Sequence, residues 1–105
     1  MSLRNKIKSA MKEAMKEKAQ LRLSTLRLIS AAIKDRDIAA RSEGVEDGVD
    51  DTEILAILGK MTRQRQESAK TYEEAGRLDL SEREMSEIQV IEYFLPRQLN
   101  SDEIE

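Results

Sequence analysis

A single proline, Pro96, in 105 residues leaves nearly the whole chain free to be helical, and the turn-forming residues gather in only a few places. Long helices joined by short connections are therefore predicted, and the apolar spacing supplies them. In 3–19, Leu3, Ile7, Met11, Ala14 and Met15 recur at helical intervals, with Ser2 placed to cap the first turn. From 21 to 41, Leu26, Ile29 and Ile33 line one face, and Leu21, Leu28 and Ala32 line its neighbour. Such a wide sector predicts contact with more than one helix.

Periodicity breaks between Ser42 and Asp51, where Gly44, Gly48 and several acids mark a loop. Calcium is excluded there: with Gly48 at the sixth position of an EF-hand loop, Val45 and Ile54 fall where oxygen ligands are required. Asp50 followed by Glu53 reads instead as a capping box opening a helix over 51–75. Its seam is Ile54, Leu58, Met61, Ser68, Tyr72 and Ala75, and Gly76 stands where a left-handed cap residue belongs. Ser81 with Glu84 forms a second capping box for a helix over 82–95, carrying Met85, Ile88, Ile91 and Leu95 and closed by Pro96. The final residues repeat a start signal, with Asn100 or Ser101 as cap and Asp102, Glu103 and Ile104 behind it. The expectation is an all-α bundle over 1–99, with 100–105 opening a further C-terminal helical domain.

Missing residue types narrow the chemistry. With no Cys and no His, disulfides, thiolate nucleophiles, imidazole bases and histidine-bearing metal motifs are excluded, and neither a metal nor a cofactor is expected. None of the four glycines builds a phosphate-cradling or dinucleotide-binding loop. No window is apolar for long enough to span a membrane, and the first residues lack the apolar core and small-residue cleavage site of a secretory signal, so a soluble, cytoplasmic protein is expected.

Charge is divided along the chain. Residues 1–41 hold 11 basic and 4 acidic side chains, net +7, while 42–105 hold 7 basic and 17 acidic, net −10. Lys8, Lys12 and Lys16 form a stripe at intervals of four, and Arg27, Lys34 and Arg41 one at intervals of seven. Like charges four apart on a helix repel by a few tenths of a kcal/mol per pair. Either the acidic half folds over these stripes with the remainder solvated, or nucleic-acid phosphate meets them. An acidic overall balance and few aromatics for base stacking weigh against the second. Arg65 interrupts the apolar seam midway between Leu58 and Tyr72, where a structural ion pair to a carboxylate is expected. Ser24 and Thr25 have only lysines as candidate bases, so packing or bonding to the preceding turn is expected of them.

Two segments carry a resemblance: RLSTLRLISAAIK at 22–34, and KMTRQRQESAKTYEEAGRLDLSEREMSEIQVIEYFLPRQL at 60–99, with its AGR-x-DL turn and LP-x-QL exit. In these the chain resembles the YqeY family, the GatB/YqeY-domain proteins, over essentially its whole length. That family is similar to the C-terminal tail of the B subunit of the aspartyl/glutamyl-tRNA amidotransferase, a helical tail associated with tRNA recognition. The resemblance implies an N-terminal helical bundle followed by a small helical domain, and a family label of carbon–nitrogen ligase with glutamine as amide donor. Catalytic residues for such chemistry are not found in the sequence, since glutamine hydrolysis needs an activated nucleophile and amide transfer needs phosphate and metal handling.

The expected function is thus a non-catalytic module of tRNA-dependent amidation, contacting tRNA backbone or a tRNA-amidating enzyme. Lys12, Lys16, Arg27, Lys34 and Arg41 are its candidate phosphate contacts. A protein-interaction bundle without an RNA role is the alternative, and an amidotransferase in its own right the third.

Overall fold

A computed structural model of the chain describes residues 2–44 and 48–96. The described residues form four α-helices and no strand: α1 (Leu3–Glu17), α2 (Gln20–Ser42), α3 (Asp51–Glu74) and α4 (Leu78–Glu92). The protein is an all-α bundle. The helix start at 100–105 lies outside the described residues.

Local chemistry explains four of the helix boundaries. Ser2 is extended and its hydroxyl accepts the Asn5 N–H at 3.2 Å, opening α1. Asp50 does the same for α3, accepting the Glu53 N–H at 3.0 Å. The reciprocal half of that box is replaced, because the Glu53 carboxylate pairs with Arg36 of α2 at 3.1 Å. At the end of α3, Gly76 has φ +78; its N–H reaches the Glu73 carbonyl at 3.0 Å and the Arg77 N–H reaches the Tyr72 carbonyl at 2.8 Å. These two bonds are a Schellman motif. The α1–α2 turn repeats them, from Lys18 to Met15 and from Ala19 to Ala14, with Lys18 itself at φ 57.

The fourth helix corrects the expected boundary. It begins at Leu78, so Ser81 lies in its first turn, with its N–H already bonded to the Arg77 carbonyl at 3.1 Å, and caps nothing. The turn at Gly76 delivers the chain directly into a new helix, and Asp79 supplies the acid of the first turn.

The chain folds as two hairpins, α1 with α2 and α3 with α4, and α2 also packs on α4. The core includes Ile7, Ala10 and Ala14 of α1, Leu26, Ile29 and Ile33 of α2, Ile54 and Leu58 of α3, and Ile91 and Phe94 from the α4 end. Thr25 is fully buried, its hydroxyl donating to the Leu21 carbonyl at 2.9 Å; Ser24 makes the same bond at 3.0 Å. Several expected core residues are not core: Met15, Leu28 and Met85 are exposed. They sit at the rims of their apolar sectors, beyond the reach of the facing helices. In α3, Ser68 and Tyr72 are half-buried and Ala75 is exposed, while Thr62 and Ala69 take the buried places.

A polar latch joins the hairpins. Arg4 grips Asp37 with two bonds, Nη1 to Oδ2 at 2.8 Å and Nη2 to Oδ1 at 3.1 Å. The Val49 N–H donates to the same carboxylate at 2.9 Å, and Arg4 Nη2 donates to the Val49 carbonyl at 2.9 Å. Gly48, at φ +87, passes so close that a Cβ there would lie 2.9 Å from Asp37 Oδ1. The latch pins the segment before α3 onto α1 and α2.

Candidate nucleic-acid interface

The basic stripes follow from where α1 and α2 bury their apolar faces. Ile7, Ala10 and Ala14 turn one side of α1 to the core, which puts Lys8, Lys12 and Lys16 on the opposite side, all exposed. On α2 the buried row is Leu26, Ile29, Ile33 and Ala40, and Arg27, Lys34 and Arg41 are exposed. At 1.5 Å per residue, the lysines stand about 6 Å apart along the α1 axis and the α2 cations about 10 Å apart.

Among the described residues, no carboxylate forms an ion pair with these stripes. Among the described residues, the ion pairs are Arg4–Asp37, Arg36–Glu53, Arg65–Glu87, Arg77–Asp79 and Arg83–Glu87, and none uses a stripe residue. Only Arg36–Glu53 joins the basic half of the chain to the acidic half. Arg41 does exert a through-space pull on Asp37, secondary to the Arg4 contact that holds this carboxyl below the usual carboxylate range. Among the described residues the two halves therefore share a single ion pair.

Arg65 stands apart from the stripes. Its Nε donates to Glu87 Oε1 at 2.8 Å across the α3–α4 interface, and Nη1 donates to the Met61 carbonyl at 3.3 Å. Arg83 approaches the second Glu87 oxygen at 3.4 Å. Both partners of the central pair are largely withdrawn from water, with side chains 15% and 11% exposed. Among the described residues no cluster of three or more acidic side chains could hold a metal ion, and no helix is long and apolar enough to cross a membrane.

The sequence profile described as Yqey-like protein matches residues 4–105. The chain belongs to the Yqey-like protein family. Among its YqeY-domain relatives is "Altered inheritance of mitochondria protein 41, mitochondrial" of Lachancea thermotolerans, 33% identical over 89 residues that cover 85% of this chain and 46% of the relative. The protein of the same name from Clavispora lusitaniae is 30% identical over 94 residues, covering 90% of this chain and 52% of the relative. An uncharacterized Schizosaccharomyces pombe protein is 30% identical over 94 residues, covering 90% of this chain and 69% of that one. The chain thus spans about half the length of the first two relatives. The expected cytoplasmic location is corrected by these comparisons, since the named relatives are called mitochondrial.

Proposed function

We propose that this YqeY-like bundle is a non-catalytic RNA-contacting module, associated with tRNA-dependent amidation, whose exposed cations meet the phosphate backbone of tRNA or position it for a tRNA-amidating enzyme. The observation that carries this reading is the solvated state of Lys12, Lys16, Arg27, Lys34 and Arg41, which have no ion-pair partner among the described residues. Exposed cations that form no ion pair among the described residues suit an external anion. Rigid helices held by a latch at one end keep the charges at fixed spacing, which favours recognition of backbone shape over sequence.

A titration of the full chain with tRNA at low salt tests this reading. The expected result is binding that weakens on Arg27→Ala and on Lys34→Ala; absence of binding at low salt overturns it. A second reading, a protein-interaction bundle, is favoured by Leu78 and Met85, which lie seven residues apart on α4 and are both exposed. It predicts capture of a protein partner that RNase treatment leaves intact.

A further inference from the structure

Tyr93 is 74% exposed, the most open of the large apolar side chains described, while its neighbour Phe94 is buried at 7%. The two rings meet edge to face, with centroids 5.2 Å apart and planes at 90°. Phe94, buried in the core, thus packs against the Tyr93 ring just past the end of α4. From the start of α2, the Arg22 guanidinium carbon lies 6.0 Å from the Tyr93 ring centroid, at the outer limit of a cation–π contact.

Between these two residues runs an open groove of about 680 Å³. Its walls include Gln20 and Arg22 from α2 and Ser86, Gln89, Val90 and Tyr93 from the α4 side. Among the described residues no carboxylate lines it, and Arg22 is the one charged residue of its wall. Lys16 and Lys18, both exposed, precede this wall in the chain at the α1–α2 turn. An aromatic face, a guanidinium plane, two carboxamides and a hydroxyl in a groove with a cationic approach are what an unpaired base requires: a stacking surface, partners for its edge and charge for its phosphate. A partner of high negative charge also suits a groove whose one charged wall residue, among the described residues, is a cation.

The geometry points to this groove as a subsite for an unpaired nucleotide, whose base stacks on Tyr93 beside Arg22. The inference rests on the reading of the protein as an RNA-contacting module and adds to it a single-stranded ligand class. Duplex RNA presents no free base face and so engages only the stripes.

Fluorescence anisotropy of the full chain with a labelled six-nucleotide single-stranded oligoribonucleotide, and with a blunt RNA duplex, tests it. Tyr93→Ala should weaken the single strand on the order of 5- to 150-fold, the span of one lost base–aromatic stack, and leave the duplex unchanged. Tyr93→Phe should retain single-strand binding. Because Tyr93 is exposed, both variants should fold, which circular dichroism verifies. Equal single-strand binding by the wild type and Tyr93→Ala overturns the subsite while leaving duplex binding, and with it the wider reading, standing. Failure of both RNAs to bind overturns both.

Discussion

Arg65 and Glu87 stand eleven residues before and eleven residues after Gly76, and their side chains meet at 2.8 Å between α3 and α4. The pair records the register of an antiparallel hairpin whose turn is the Schellman motif. Removing one partner leaves the other charge without its counter-ion, so Glu87→Leu alone should cost about 3 kcal/mol. Arg65→Met combined with Glu87→Leu should recover most of that loss. Urea unfolding of the two single variants and the double variant measures the coupling.

Thr62 is 7% exposed, and its hydroxyl has no hydrogen-bond partner among the described residues. A buried hydroxyl that loses water and gains nothing in return is destabilising. Thr62→Val keeps the shape and removes the stranded group. It should be neutral or stabilising by up to about 1 kcal/mol, read as a shift of the urea midpoint at constant slope.

The carboxyl of Asp37 is held below its ordinary value first by the Arg4 hydrogen bond and then by the Val49 N–H. A depressed folded pKa means that the stabilisation is fully present above the unfolded value of about 3.9 and is lost as pH falls through the lower folded value. Unfolding stability measured from about pH 6 to about pH 2 should therefore drop less in Asp37→Asn than in the wild type. Asp37→Asn should itself be less stable at neutral pH, because the guanidinium of Arg4 loses its anion.

Left-handed positions separate strain from collision. Gly76 has nothing within 4 Å of an added Cβ, so Gly76→Ala should cost only the backbone term, about 1 to 2 kcal/mol. Gly48→Ala carries the same strain plus contacts at 2.9 Å to Asp37 and 3.0 Å to Arg4, and should cost more. Lys18→Gly runs the other way: it relieves a lysine at φ 57 and should stabilise by about 0.5 kcal/mol after the extra flexibility of unfolded glycine is counted. Thermal unfolding of the three variants gives the order.

What was legible in the sequence was local. Ser2, Asp50 and Gly76 each act within a few residues of themselves, and their roles as caps follow from residue type and spacing. The Ser81–Glu84 box misled because a turn just upstream had already started the helix, which makes a capping serine redundant. Met15, Leu28 and Met85 lie at the rims of apolar sectors, and only the facing helix decides how much of a sector is covered. The Arg4–Asp37 latch joins residues 33 apart and carries no local signature. Arg22 and Tyr93 met only after folding, so counting three aromatics could not show that one stands exposed beside a cation.

The salt dependence of RNA binding tests the central claim most directly. Each phosphate contact lowers the slope of log K against log salt by about 0.7 to 0.9. If Lys12, Lys16, Arg27, Lys34 and Arg41 all meet phosphates, the tRNA slope should lie near −4, and the double substitution Arg27→Ala, Lys34→Ala should flatten it by about 1.4 to 1.8. An unchanged slope in that variant would contradict the account.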